Sequence, residues 1–129
     1  MLFRPNPSSG VPIYLQLMEQ VKHGIETGAL RPGEQLPGIR PLAEELVINP
    51  NTVAKAYREL EHEGLVIARQ GRGTFIASTL APASLQHHAE LRREFERWLA
   101  SAQRAGLDED SIRALLATTL RESLARRVA

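Results

Sequence analysis

The polar side chains that follow Asn49 are of the types that hydrogen-bond to nucleic acids. Asn51, Thr52, Lys55 and Arg58 share the polar face of a segment whose apolar residues recur at helical spacing. An asparagine amide can pair with adenine, threonine can contact a phosphate or a thymine methyl group, and basic side chains neutralise phosphates. A polar helix face is often only a solvated one, so this segment alone leaves both interpretations open.

A basic, glycine-containing loop follows this segment. Arg69, Gln70, Arg72 and Gly73 lie at the junction of two short runs of β-forming residues, and no acidic residue occurs from Arg69 to Ala77. The pattern predicts a hairpin, and an arginine on a slim loop suits the narrow minor groove of DNA. On the alternative interpretation, the glycines of the loop only make the turn.

Two helices are predicted ahead of these residues. Apolar residues at helical intervals follow Pro12 and end near Gly28, which is a suitable residue for a helix C-terminus. Ile39, Leu42, Ala43 and Leu46 have the same spacing and predict a second helix, which carries Arg40 among its polar residues.

The third helix has the clearest boundaries. Asn49 is a strong N-cap candidate, Pro50 then occupies the first helical position, and Gly64 ends the helix. Residues 65–68 and 74–77 are the two strands of the hairpin. We therefore predict a mainly α fold with a small β-hairpin, a winged helix-turn-helix, in which the third helix enters the DNA major groove.

Three stretches of the chain resemble the DNA-binding domain of the GntR family of bacterial transcription regulators. They are LPGIRPLAEEL, NPNTVAKAYRELEHEGLV and RQGRGTFIA. The resemblance covers about residues 11–77, and the start of the third helix and the short two-helix tail resemble the YtrA subfamily. It implies dimeric, operator-binding and usually repressive behaviour, often beside ABC transporter genes. The DNA contacts that it implies fall on Arg40, Asn49, Asn51, Thr52, Lys55, Arg72 and Gly73.

Four positions depart from the pattern of that family. Many members have serine where Gly38 stands and glycine where Val47 stands, and some have arginine where Pro50 and Ala54 stand. The serine would cap the second helix and contact a phosphate, so both contributions are absent here. The base-reading rule of the arginine-containing members does not carry over.

The chain changes character after the hairpin. Residues 11–77 form the predicted DNA-binding domain, 78–84 a linker, and 85–129 a two-helix hairpin with an apolar stripe on each helix. The stripes predict dimerisation through a helical bundle, whereas the alternative is that they fold back onto the first helix of the chain. The residues assigned to dimerisation are Leu91, Phe95, Trp98, Leu99, Ile112, Leu116 and Leu120.

Composition excludes several other functions. The 129 residues include no cysteine, so disulfides and thiolate chemistry are excluded, and no apolar run has the ~20 residues that span a bilayer. With 16 basic and 15 acidic residues, the charge of the whole chain does not indicate a nucleic-acid partner. His87 and His88 lack the spacing of a helical metal pair, so we expect them to be solvated.

The sequence thus predicts a cytoplasmic, homodimeric repressor that binds double-stranded operator DNA and is not an enzyme. No catalytic residue, metal site or cofactor is expected, there is no membrane partner, and any effector ligand is unknown. Two alternatives remain at this point. The winged helix could bind proteins instead of DNA, or the C-terminal helices could sense a small ligand around Trp98.

Overall fold

The computed structural model describes residues 3–78 and 83–128, which contain five α-helices and one two-stranded hairpin. They divide into two compact units, Met1–Ala89 and Glu90–Ala129. The helices are α1 (Ile13–Thr27), α2 (Ile39–Leu46), α3 (Pro50–His62), α4 (Ala83–Arg104) and α5 (Glu109–Val128), and the strands are β1 (Val66–Arg69) and β2 (Gly73–Ile76).

The first unit is built on the apolar faces of its first three helices. Leu17 and Val21 of α1, Leu42 of α2, and Val53 and Leu60 of α3 are almost completely buried in one core. Burying a side chain of this size contributes roughly 1.5–3 kcal/mol, so the faces that carry the helical periodicity also stabilise the fold. The predicted fold class, mainly helical with a small hairpin, is confirmed.

The start of α3 is fixed by the residues that precede it. The side chain of Asn49 accepts a hydrogen bond from the backbone N–H of Asn51 at 2.8 Å, and Pro50 occupies the first turn. After the last residue of α3, His62, Gly64 takes a left-handed conformation with φ of 80°. The predicted cap and end of this helix are confirmed.

A third segment of chain extends the predicted hairpin. β1 and β2 pair antiparallel, each displaced by one residue from its predicted run. Residues 33–36 then run along the other edge of β2, where the N–H of Leu36 donates to Thr74 O at 2.8 Å and that of Ile76 donates to Glu34 O at 2.8 Å. The sequence predicts only a turn at residues 31–33, because a single short pairing has no alternating pattern of its own.

The turn between α2 and α3 contains a strained residue. Val47 has φ of 55° and ψ of 52°, the left-handed conformation, and its side chain is 88% exposed. A β-branched residue is seldom found there because its Cβ crowds the backbone. The side chain gains little burial in return.

We expect the Val47→Gly substitution to stabilise the protein. The left-handed strain of roughly 1–2 kcal/mol is relieved, and the greater freedom of glycine in the unfolded chain takes back about 0.5–1 kcal/mol. The net gain is about 0.5–1 kcal/mol, measurable as a higher urea midpoint with an unchanged slope. A Val11→Gly control, at an exposed valine outside the turn, should show no gain. An unchanged or lower midpoint for Val47→Gly would contradict the assignment of strain.

An N-terminal arm, residues 3–6, packs against the rest of the first unit. Phe3 is 1% exposed and belongs to the core. The side chain of Gln20 bonds to both backbone polar groups of Arg4, and that of Gln16 bonds to both backbone polar groups of Asn6. The sequence offers no indication of this arm.

The beginning of α4 also belongs to the first unit. The helix begins at Ala83, inside the segment 78–84 predicted as a linker, and residues 79–82 lie outside the described part of the chain. Leu85 is buried in the core of the first unit, one turn before His88.

The expectation that His88 is solvated is wrong. Its Nδ1 lies 2.6 Å from Glu26 Oε1 and its Nε2 lies 2.8 Å from Glu19 Oε2, so the ring bridges two carboxylates of α1. The same face of α4 that buries Leu85 brings His88 against these carboxylates, which no local pattern could show.

The second unit consists of most of α4 together with α5. Ala102 and Ile112 are buried. Asp108 caps α5 by accepting a hydrogen bond from the N–H of Ser111 at 2.8 Å, which lowers the pKa of the Asp108 carboxyl group.

The second unit also carries apolar side chains on its surface. Phe95 and Trp98 stack with ring centroids 6.1 Å apart. Leu91, Leu116 and Leu120 are exposed, and Leu99 is half-buried. No helix among the described residues combines the length and apolarity needed to cross a membrane.

Candidate nucleic-acid interface

One face of α3 presents polar side chains outward. Asn51, Lys55 and Arg58 are exposed and Thr52 is half-buried, whereas the opposite face of the helix is in the core. The side-chain oxygen of Asn49 is occupied as the helix cap, which leaves its NH₂ group to donate outward. The structure therefore brings all five predicted residues together at one helix.

Lys55 is held by an aromatic ring. Its Nζ lies 4.1 Å from the centroid of Tyr14 in α1, a cation–π geometry. Tyr14 itself packs against the core. The ammonium group of Lys55 is thus kept near one position while its side chain stays exposed.

Arg40 lies in the first turn of α2 and is exposed. The N-cap residue of this helix is Gly38, which supplies no side-chain hydrogen bond to the first turn. The backbone N–H groups there are compatible with an anion, and the guanidinium of Arg40 adds charge at the same helix end.

The wing is the hairpin of β1, β2 and the loop between them, and it carries the remaining predicted residues. The guanidinium carbon of Arg69 lies 5.8 Å from the centroid of Phe75, so this side chain lies along the hairpin. Gln70 and Arg72 are exposed in the loop. Gly73 has φ of 122°, and its α-carbon faces the side chain of Gln35.

Three contacts anchor α3 to its surroundings. The hydroxyl of Tyr57 donates to Pro37 O at 2.7 Å, and burial raises the pKa of this phenol. The carboxylate of Glu61 accepts from the N–H of Ala68 in β1 at 2.8 Å. Lys22 of α1 pairs with Glu63 at 3.0 Å. A rigid mounting of this kind is what a helix that reads base edges requires.

These anchoring residues escape prediction from sequence, as do Tyr14 and Gln35. The spacing of Tyr57 places it on the apolar face, and nothing in that spacing reveals that its hydroxyl has a partner 20 residues away. No group of three or more His, Cys, Asp or Glu residues within the described ranges is arranged to hold a metal ion.

The fold and this surface define a winged helix-turn-helix protein, with α2 and α3 as the helix-turn-helix and the β-hairpin as the wing. The family described as "Bacterial regulatory proteins, gntR family" matches residues 13–76. The chain belongs to the GntR family, and it is a DNA-binding transcriptional regulator. The prediction that it is not an enzyme is confirmed by relatives that are named as regulators of transcription.

One similar protein is the HTH-type transcriptional repressor YtrA of Bacillus subtilis (strain 168). It is 35% identical over 108 residues, which cover 83% of each chain. Among solved structures, YtrA of Sulfolobus acidocaldarius, a GntR-family transcription factor, superposes with a TM-score of 0.58 at 35% identity, covering 78% of this chain and 99% of that one. The AraR DNA-binding domain in complex with operator ORX1 has a TM-score of 0.50 at 28% identity, covering 60% and 93%.

Proposed function

We propose that the protein is a homodimeric, cytoplasmic repressor that binds a pseudo-palindromic operator, with α3 in the major groove and the wing at a neighbouring groove. The observation that carries this proposal is the outward polar face of α3. Asn49 caps the start of this helix, and the opposite face is buried in the core. The name of the YtrA relative as a repressor supports the direction of regulation. The operator complex of the AraR domain supports the DNA partner.

The proposed roles divide the surface into reading and positioning contacts. Asn51 and Thr52 face base edges, and the NH₂ group of Asn49 adds a donor at the helix start. Phosphate contacts fix the register of the protein on the duplex without reading sequence. The residues proposed for phosphate and wing contacts are Arg40, Lys55, Arg58, Arg69, Gln70, Arg72 and Gly73.

Dimerisation is proposed to occur through the second unit. Phe95, Trp98, Leu116 and Leu120 are exposed large apolar side chains on its two helices. A two-fold dimer presents two copies of α3 to two half-sites, whose separation is one turn of the DNA helix, about 34 Å, or a multiple of it.

Control of a transporter operon is part of the proposal because of the resemblance to the YtrA subfamily.

The proposal is tested by selecting duplexes from a randomised library with the full-length protein. We expect enrichment of a pseudo-palindromic site, and its affinity should fall steeply as salt rises because bound phosphates release counterions. Equal affinity for every duplex would refute sequence-specific regulation.

Asn51→Ala should weaken binding to the selected site by about 1–3 kcal/mol and leave binding to random duplex nearly unchanged, because the amide reads a base. The measurement is a titration of both duplexes at several salt concentrations. His62→Ala, at the exposed far end of the same helix, is the matched control and should bind both as wild type does. An equal loss on both duplexes would assign Asn51 to the phosphate backbone instead.

A further inference from the structure

We infer that Gln35 is a positioning residue that holds the backbone of Arg72 in the wing. The inference rests on the proposed DNA-binding function, in which Arg72 contacts the operator. Gln35 itself need not touch DNA. It lies 37 residues from Arg72 in the chain, and it is not among the site residues that the sequence predicts.

The position of Gln35 follows from the third segment of the sheet. Leu36 is buried in the core, so the side chain of its neighbour Gln35 points to the opposite, outer face. Gln35 pairs with Phe75 of β2, and directly paired residues project to the same face of a sheet. The side chain of Gln35 therefore lies on the outer face of the wing.

On that face, the amide of Gln35 reaches the wing backbone. Its Nε2 donates a hydrogen bond to Arg72 O at 2.9 Å. The N–H of Arg72 donates to Arg69 O, also at 2.9 Å. Both backbone polar groups of Arg72 are thus engaged, although the side chain is exposed.

The glycine beside Arg72 makes room for this contact. A Cβ at Gly73 would lie 2.6 Å from Nε2 of Gln35, too close for an unmoved amide. Gly71 differs, because a Cβ there would meet no atom within 4 Å. Both glycines have positive φ, so any side chain brings backbone strain at either position, but only Gly73 also leaves space for Gln35.

A residue that only stabilised the sheet would affect DNA binding through folding alone. A positioning residue acts through Arg72, so its loss should have no effect on affinity once the Arg72 side chain is gone. Double-mutant cycles separate these two cases.

The experiment measures affinity for a duplex selected by the wild-type protein, using Gln35→Met, Arg72→Ala and the double variant. Methionine keeps the length of the side chain but cannot donate. We expect Gln35→Met to weaken binding about three- to tenfold, the scale of one hydrogen bond. In the Arg72→Ala background the same change should have no effect. Gln86→Ala, at an exposed glutamine in the first unit, is the control.

The inference is overturned if Arg72→Ala weakens binding but Gln35→Met leaves the affinity unchanged. It is also overturned if Gln35→Met causes an equal loss of affinity with and without the Arg72 side chain. If the wild-type protein selects no duplex at all, the proposed function fails instead.

A second measurement tests the same contact without DNA. Amide hydrogen exchange at Arg72 should accelerate in Gln35→Met and in Gly73→Ala, because both changes free the Arg72 carbonyl and loosen the loop. Gly71→Ala is the matched control for backbone strain and should accelerate it less. Equal exchange in Gly73→Ala and Gly71→Ala, with no change in Gln35→Met, would show that the amide of Gln35 does not hold the wing.

Discussion

Replacing Phe95 and Trp98 together by alanine is expected to convert the proposed dimer to a monomer and to weaken operator binding by two orders of magnitude or more. The two rings stack on each other and remain 43% and 37% exposed, so they form a large apolar surface suited to a second copy. Linking two DNA-binding units raises avidity by about 10²–10⁴ over one unit, and a monomer loses that factor. Alanine is the best helix former, so α4 should persist.

Sedimentation and titration of full-site and half-site duplexes measure this effect. The variant should bind both duplexes alike, whereas the wild-type protein should strongly prefer the full site. Arg93→Ala is the matched control, because Arg93 is exposed on the opposite face of α4 and its loss should leave the dimer intact. A double variant that stays dimeric would place the interface elsewhere.

Phe3→Ala should destabilise the protein far more than any substitution on its surface. The ring is enclosed in the core with Leu36 and Leu42, and truncating a buried phenylalanine costs about 3–5 kcal/mol, because it removes apolar burial and leaves a cavity. For a domain of this size the melting temperature should fall by more than about 10 °C.

Thermal unfolding followed by circular dichroism measures this loss. Arg4→Ala is the control, since Arg4 is exposed and its hydrogen bonds to Gln20 use only backbone groups, which alanine retains. A melting curve for Phe3→Ala that matches the control would mean that the arm does not contribute to the core. At temperatures where the variant is folded, its affinity for operator should be that of the wild type.

The parts of the fold that are predictable have local causes. The bounds of α3 follow from Asn49, Pro50 and Gly64, each of which acts within a turn of its own position. Apolar spacing likewise locates the core faces of α1, α2 and α3. The hairpin is predicted with an error of one residue at each strand, which is typical of boundaries set by pairing.

The parts that escape prediction depend on partners distant in the chain. His88 meets Glu26 across 62 residues, and Gln35 meets Arg72 across 37. Phe3 packs into a core whose next member along the chain is Leu17 of α1. A single aromatic residue ahead of the first helix has no periodicity that would reveal its burial. The sequence places the start of α4 too late because Pro82 and its small neighbours indicate a linker. The DNA-contact and dimerisation residues remain predictions.

Glu61 has a consequence for solubility through its hydrogen bond to Ala68. β1 is the outer strand of its sheet, and an outer strand with unpaired backbone groups is a template for amyloid-like stacking with another chain. The carboxylate of Glu61 accepts a hydrogen bond from one of those outward N–H groups and places a negative charge beside the edge. A second chain that paired along β1 would therefore have to displace this hydrogen bond and approach the negative charge, which disfavours aggregation through this strand when many copies bind close together on DNA.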